Sequence, residues 1–545
     1  MFAFIKEPLK RHRDILIIIF TVLLIGLPFA NRAYFVDDIY QVTMAEGLLD
    51  NPLRPYDFKS DDTKQNQISW EKGSLPRMVN PPLMHYYLAL VIKLFGNDVW
   101  KLRLSFLIFP ILAALAVFNL GRRFSSHPLA ASIIFAVTPA FWLSSYSLLI
   151  DMCMIVFVFW GFEFFMRGWE RNSFGYCLVG GAALGLAPLV KYTAYSALLI
   201  LFIWILLRGK ECFNKKRYFL VFLLPLIFAG IWGCWNILTY GESHFLAALQ
   251  RSNTGAWPPK IIVGLVFLSG VSIFSISYII ILLKEKRILI YPFLALLLVL
   301  VVFLASPFGG FKLGQSWLFS ILFINSIVVF FILSKNIKSI NKFLFLWFVV
   351  GFAILLLPIP WVAARYYLTI LPSFVFLTIE IIKLYFPNRY VFKYIIIAII
   401  SITAVFSLML AVGDYVQAGV YRKIADDIKK EQIVLKNSGK KIVLGDAFFG
   451  YSYYLKKDGW QVIFNQSKTA SGDILLASTH SIPSVARPCW RIAVEELGRF
   501  DYRSYFPLRV MDIPSGAGFY ASAGGSLPFS FAMEPIETFV LYKVK

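Results

Sequence analysis

The stretch RHRDILIIIFTVLLIGLPFANRAYFVDD, Arg11 to Asp38, sets the terms on which the rest of the chain is read. A basic flank opens it, an apolar run from Ile15 to Pro28 follows, and two adjacent carboxylates close it. A run of this length approaches the ~20 residues that cross a bilayer core. A secretory leader would end in small residues at a cleavage site. Here Asn31-Arg32-Ala33-Tyr34-Phe35 leads straight into the acidic pair, so the run reads as a first membrane span. Similar runs recur, among them Ile288 to Ala305 and Val391 to Val412. The composition agrees: 59% of the 545 residues are hydrophobic and 15% charged, and mean hydropathy is +0.69. A soluble domain carries about 25% charged residues. The chain has too few charges to coat a water-facing surface and reads as an α-helical polytopic membrane protein.

In a soluble protein the net charge of +22 would point to nucleic acid. Here Lys and Arg fall in short clusters between apolar runs, the pattern that fixes orientation in a bilayer, so no nucleic-acid partner is expected. Lys6, Lys10, Arg11 and Arg13 place the N-terminus in the cytoplasm. Counting onward, Arg122-Arg123, Arg167 with Arg171, Arg208 to Arg217, Lys284 to Arg287, Lys335 to Lys342 and Arg389 with Lys393 all fall on that same side. The expected spans lie near 15–30, 100–121, 128–149, 151–166, 174–190 and 192–207, then around the loops 240–260 and 308–316, then before Pro360, back to Arg389 and out near Asp414. That gives roughly thirteen spans of ~20 residues, with Pro81 to Gly96 as an interfacial helix.

Residues 1–413 form the membrane domain, with 31–99 as its first outer loop. Residues 414–545 form a small extracytoplasmic α/β domain, with strands at 441–445, 460–464 and 473–477 and a helix across 448–457. The five cysteines, Cys153, Cys177, Cys212, Cys234 and Cys489, show neither disulfide nor metal-ligand spacing.

Ionisable side chains at membrane depth cost about 2.5–3.5 kcal/mol each on insertion scales and are functional candidates for that reason. Asp37, Asp38, Asp151, Lys191 and Arg365 each stand where an apolar run meets a loop, and the crossing order puts all five junctions on the outer face. Two acidic and two cationic sites there suit a reaction in which a carboxylate takes a proton from a hydroxyl while Lys and Arg hold a phosphate. Plainer roles stand beside this one. Asp37, Asp38 and Asp151 can cap helices, and Lys191 and Arg365 can snorkel to the interface. His85 and His244 have no metal spacing. A divalent cation at the acidic sites is left open.

These residues also carry a resemblance. Phe35-Val36-Asp37-Asp38-Ile39-Tyr40, with Ala45-Glu46-Gly47-Leu48-Leu49, resembles the first-loop motif of the protein O-mannosyltransferase-like enzymes. These have the membrane glycosyltransferase fold called GT-C and include the bacterial aminoarabinose transferase acting on lipid A. Asp37 matches the family's catalytic aspartate, and Asp38 stands where members usually have Glu. Asn80-Pro81-Pro82-Leu83-Met84-His85-Tyr86-Tyr87 resembles the Pro-Pro-Leu-aromatic segment, with Asn80 in place of the usual Lys or His. Leu184-Gly185-Leu186-Ala187-Pro188-Leu189-Val190-Lys191-Tyr192 and Arg365-Tyr366-Tyr367 with Leu371-Pro372 resemble the later motifs. Gly450-Tyr451 with Tyr453-Tyr454-Leu455 is similar to the start of the outer domain of bacterial members.

The resemblance implies inverting transfer of a sugar from a polyprenyl-phosphate donor, in a bacterial inner membrane, to a lipid or glycan acceptor such as lipid A or lipopolysaccharide, or to a protein. It assigns Asp37 and Asp151 to catalysis. Arg365, Lys191 and Tyr366 fall to the donor phosphate, with Asp38, Asn80 and Tyr86 in support. No glycine-rich nucleotide loop is present. A lipid or glycan transporter would place its charges near mid-membrane in two related halves, and a glycan polymerase or ligase would rely on a large late loop.

An odd number of crossings makes a direct prediction. A phosphatase or fluorescent reporter fused after Lys545 is expected to report an extracytoplasmic location, and a cytoplasmic signal would refute the topology.

Overall fold

The structure is a computed structural model that describes residues 2–57, 80–251, 257–285, 290–305, 312–357, 361–431, 441–444, 450–456, 458–463, 470–478, 480 and 493–545. Most of loop 31–99 beyond Asp57, parts of the loops expected at 240–260 and 308–316, Pro360, and the ends of the helix expected at 448–457 lie outside those residues.

Helices dominate up to Glu431. Among the described residues five of them are long and apolar enough to cross a membrane: Arg11–Phe29, Val99–Phe124, Lys216–Tyr240, Leu313–Lys335 and Arg389–Lys430. Two further pairs qualify together across a bend: Pro128–Ala136 with Pro139–Ser145 at 66°, and Pro259–Val271 with Ile273–Lys284 at 92°. At the first bend Pro139 opens a new helix, and the Thr138 hydroxyl caps it by accepting from the Phe141 amide at 3.4 Å. Phe174–Leu189, Tyr192–Leu206, Phe293–Phe303 and Lys342–Leu356 are shorter apolar helices. Among the described residues, length and composition alone pick out five to seven spans, because breaks and 3-10 turns interrupt several apolar runs. Leu238, Phe303 and Leu296 are 84%, 75% and 69% exposed, a surface that suits lipid and would be a liability in water.

Pro81–Gly96 holds the amphipathic helix Leu83–Phe95, packed on Asp38–Asp50. The helix Arg389–Glu431 runs unbroken through Asp414 and carries the chain out of the apolar region into the C-terminal domain. That domain has a five-stranded sheet in the order Gln461–Ile463, Lys441–Leu444, Ile474–Ser478, Glu537–Val544 and Val494–Tyr502. Its first two pairings are parallel and its last two antiparallel. Helix Gly450–Lys456 follows the first strand.

Transmembrane and C-terminal parts meet at a fully buried charge cluster. Arg32 donates to Asp38 at 3.0 Å and to Asp414 at 2.9 Å, and Arg103 donates to Asp38 at 2.8 Å. The Tyr146 and Tyr520 hydroxyls donate to Asp414 at 2.9 and 2.8 Å, and the Leu148 amide donates to Asp38 at 2.9 Å. Burial alone would raise the Asp38 pKa, but the charges of Arg103 and Arg32 outweigh it and hold the carboxyl below its ordinary value. Two guanidiniums balance two carboxylates, so the cluster is neutral as a unit. Its members come from the first loop, the short helix Val99–Phe106, the end of Pro139–Ser145, the long helix and the C-terminal domain.

Removing one partner strands a buried charge, at a cost of about 3–5 kcal/mol. Asp38→Ala and Arg103→Leu are each expected to lower the melting temperature sharply in detergent, or to abolish the monodisperse chromatographic peak. Wild-type melting in both variants would show that the cluster does not hold the parts together.

Candidate active site

Helices Ile150–Glu170 and Phe174–Leu186 form an antiparallel hairpin. Glycine lets them touch: a Cβ on Gly180 would lie 2.6 Å from the Phe165 amide nitrogen and 2.8 Å from the Gly161 carbonyl oxygen. The start of one helix thereby meets the end of the other. Asp151 sits in the first turn of Ile150–Glu170, where a carboxylate complements the helix dipole. Lys191 sits in an extended break between the 3-10 turns Ala187–Leu189 and Tyr192–Tyr195. Lys191 Nζ reaches Asp151 Oδ1 at 2.7 Å.

Arg365 enters from the far end of the chain, at the start of the 3-10 helix Ala364–Thr369. Its Nε lies 3.4 Å from Asp151 Oδ2 and its Nη2 lies 2.9 Å from Asp37 Oδ2. The Tyr366 ring covers both cations, with Lys191 Nζ 4.5 Å and Arg365 Cζ 5.4 Å from its centroid. Asp37, Asp151, Lys191, Arg365 and Tyr366 thus form one contiguous group, although the sequence scatters them from the first loop to the last third of the chain.

The two carboxylates differ in access. The Asp151 side chain is 2% exposed and held by both cations, whereas that of Asp37 is 33% exposed. Arg365 is 12% exposed, yet its Nη1 is buried without a hydrogen-bond partner. A buried donor on a permanent cation, left over after two carboxylates have been served, is a ready contact for an anionic oxygen.

Local backbone explains why Asp37 and Asp38 part company. Val36 has φ +52°, a left-handed conformation that a β-branched residue rarely takes and that costs on the order of 1–3 kcal/mol. The turn closes with the Asp38 amide on the Phe35 carbonyl at 3.3 Å and the Phe35 amide on the Asp38 carboxylate at 3.1 Å. Asp38 is thereby aimed into the buried cluster and Asp37 towards Arg365. Asp37 precedes the helix Asp38–Asp50, but its side chain makes no capping hydrogen bond.

The other residues named from sequence lie elsewhere. The Tyr86 hydroxyl donates to the Pro52 carbonyl at 2.5 Å, and the Asn80 carbonyl accepts from the Tyr56 hydroxyl at 3.4 Å. His85 Nε2 is 2.6 Å from the Gln41 side-chain oxygen, and His244 stacks on Tyr56 at 4.8 Å. Among the described residues no group of three or more His, Cys, Asp or Glu side chains could hold a metal. Arg32, Arg103, Tyr146 and Tyr520 escaped the sequence reading. The available signal was two arginines flanking spans on the face opposite to most other basic residues.

Set beside known proteins, residues 79–235 match the family model described as dolichyl-phosphate-mannose-protein mannosyltransferase. The matched stretch holds Asp151 and Lys191 and stops short of Asp37 and Arg365. Similar solved structures include ArnT from Cupriavidus metallidurans in the apo state, 12% identical with a TM-score of 0.42, covering 85% of this chain and 92% of that one. The same protein bound to undecaprenyl phosphate is 12% identical with a TM-score of 0.43, covering 83% of this chain and 86% of that one. The Archaeoglobus fulgidus oligosaccharyltransferase in the apo form is 13% identical with a TM-score of 0.46, covering 84% of this chain and 65% of that one. No curated protein matches the sequence.

The difference in access separates the two carboxylates experimentally. Asp151→Ala strands the nearly enclosed Lys191 and leaves Arg365 with Asp37 alone, and is expected to cost about 3–5 kcal/mol of stability. Asp37→Ala breaks a partly solvated pair and is expected to cost about 1 kcal/mol or less. Thermal melts in detergent check this, and equal losses would contradict the assignment of Asp37 as the accessible carboxylate.

Proposed function

We propose that this chain is a membrane-embedded inverting glycosyltransferase that moves a sugar from a polyprenyl-phosphate donor to a hydroxyl of a cell-envelope acceptor. The observation that carries the reading is Arg365: it is held by Asp37 and Asp151 and still presents a buried, unpartnered Nη1 beside Lys191. The match of residues 79–235 to the dolichyl-phosphate-mannose-protein mannosyltransferase model supports it.

In this reading the donor phosphate lies against Arg365 and Lys191. Asp37, the more open carboxylate, takes the proton of the acceptor hydroxyl. The hydroxyl oxygen attacks the anomeric carbon from the side opposite the phosphate. The bond between that carbon and the bridging oxygen breaks, and its electron pair leaves on the polyprenyl phosphate. The two cations stabilise this anion in the transition state more than in the ground state, which is the condition for catalysis. Asp151 is a positioning residue, because it holds Lys191 and Arg365 side by side and is itself almost wholly enclosed. Asp38 supports the site from within the buried cluster and meets no substrate.

The ion pair between Asp37 and Arg365 gives the sequence of events a physical basis. A phosphate arriving at Arg365 competes with Asp37 for the same guanidinium, so donor binding frees the base it needs. By resemblance the donor carrier is undecaprenyl phosphate, the acceptor a lipid A or lipopolysaccharide hydroxyl or another envelope glycan or protein, and the setting a bacterial inner membrane with the site on its periplasmic side. The bent helix pairs are a feature that transporters share, but Asp37, Asp151, Lys191 and Arg365 gather in one group and supply what a transfer reaction requires.

Asp37→Asn is expected to lower transfer of a radiolabelled sugar from its polyprenyl-phosphate carrier by at least 100-fold in membranes, in line with loss of a positioned base. The same variant should bind undecaprenyl phosphate as tightly as wild type or more tightly, because the competing carboxylate has gone. Wild-type transfer rates would refute the role of Asp37, and weakened carrier binding would refute the competition.

A further inference from the structure

The segment carrying Arg365 is not held by the membrane helices alone. Ala363 is extended, at φ −142° and ψ 145°, and its neighbours Val362 and Ala364 pair with a turn of the C-terminal domain. The Ser522 amide donates to the Val362 carbonyl at 2.7 Å, and the Ala364 amide donates to the Phe519 carbonyl at 2.9 Å. The Ser522 hydroxyl adds a third bond, accepting from the Val362 amide at 2.9 Å. Ala364 directly precedes Arg365, so these bonds fix the backbone from which the guanidinium projects.

The same turn reaches the other side of the site. Tyr520 lies between Phe519 and Ser522, and its hydroxyl donates to Asp414 at 2.8 Å and accepts from Arg32 at 3.2 Å. Its ring meets the Phe35 ring edge-on, with centroids 5.7 Å apart, two residues before Asp37. Arg32 in turn holds Asp38. One four-residue turn therefore contacts both the segment that leads into Arg365 and the cluster beside Asp37.

The turn is itself tied down by backbone hydrogen bonds. The Phe519 amide donates to the Val510 carbonyl at 2.8 Å, the Gly518 amide to Leu527 at 2.7 Å, and the Gly524 amide to Ala521 at 3.0 Å. A Cβ at Gly525 would fall 2.1 Å from the Gly516 carbonyl oxygen, so the strands that carry the turn pass closer than any side chain permits.

We infer that Phe519–Ser522 is a positioning element for the charged site, with Ser522 a positioning residue that sets where Arg365 stands relative to Asp37. The C-terminal domain thereby completes the site without touching substrate. The inference rests on the donor-phosphate reading above and extends it to a part of the chain outside the matched stretch. A reacting geometry tolerates little error, a misplacement of 1 Å costing on the order of 100-fold. Loss of one of three bonds at Val362 and Ala364 should have a smaller effect.

The test is binding of undecaprenyl phosphate to the purified full chain in detergent, expressed per folded molecule from the monodisperse chromatographic peak. Ser522→Ala is expected to weaken binding about tenfold, and Ser522→Thr, which keeps the hydroxyl, to restore it to within about twofold. Arg365→Ala measured alongside separates this inference from the one it rests on. If Arg365→Ala binds like wild type, the donor reading itself fails. If Arg365→Ala loses binding while folded Ser522→Ala binds like wild type, the positioning inference is overturned and the donor reading stands, whatever the yield of folded Ser522→Ala. A Ser522→Thr variant as weak as Ser522→Ala overturns it too.

Discussion

The candidate site rests on a neutral, fully buried cluster of two arginines and two aspartates beside it. Each of Arg32, Arg103, Asp38 and Asp414 would be prohibitive there alone, since an isolated buried charge is far costlier than a paired one. Together they satisfy one another, and two tyrosine hydroxyls, backbone amides and carbonyls take up most of the remaining donors and acceptors. A buried ion pair is often no more stabilising than a well-packed apolar group of the same size. What it imposes is register. Charges that tolerate no other arrangement fix five separate pieces of chain in one relation, and that relation places the Val36 turn.

From that turn the site divides into a part that holds and a part that is free to react. Asp38 and Asp151 are enclosed and held by cations, which makes them good anchors and leaves an incoming molecule little access to them. Asp37 is partly open and tied by a single ion pair. Arg365 belongs to both parts, because its Nε serves the enclosed Asp151, its Nη2 serves the open Asp37, and its Nη1 is unsatisfied. Binding sites need this asymmetry: rigid neighbours to define geometry, and a few polar groups whose valence is left for the ligand.

The residues readable from sequence were those whose expense is visible locally. Asp37, Asp151, Lys191 and Arg365 interrupt apolar runs, and an ionisable group at such a junction needs a reason. Arg32 and Arg103 were legible only as ordinary flanking basic residues, because an arginine near a span end normally faces water or headgroups. Asp414 was visible as the point where a span ends, and nothing nearby disclosed that its partners are Arg32, Tyr146 and Tyr520. Ser522 lies in a polar tail whose composition suits any small outer domain. The strands Val494–Tyr502 and Glu537–Val544 went unread for a related reason: a mixed sheet is settled by pairing between distant segments, and a single strand's pattern is a weak signal of it. Asn80 and Tyr86 entered through resemblance, and their hydrogen bonds to Tyr56 and Pro52 join parts of the first loop.

Two kinds of information brought the distant charges together, and they differ in reach. Asp151 and Lys191 meet because two consecutive helices lie back to back with glycine between them, so the end of one must return to the start of the other. That is local geometry, fixed by chain length. Arg365 and Asp37 have no such tether. The sequence argument for their encounter is crossing parity: if every basic cluster between short loops marks one face, the junctions that remain are expected to share the other face regardless of how many residues intervene. Parity can say only that two groups share a surface. Shrinking that surface to 2.9 Å took the buried cluster on one side of the site and the paired C-terminal turn on the other. A bilayer restricts where the ends of its helices can lie. The polar contacts among those ends then choose one arrangement from the few that remain.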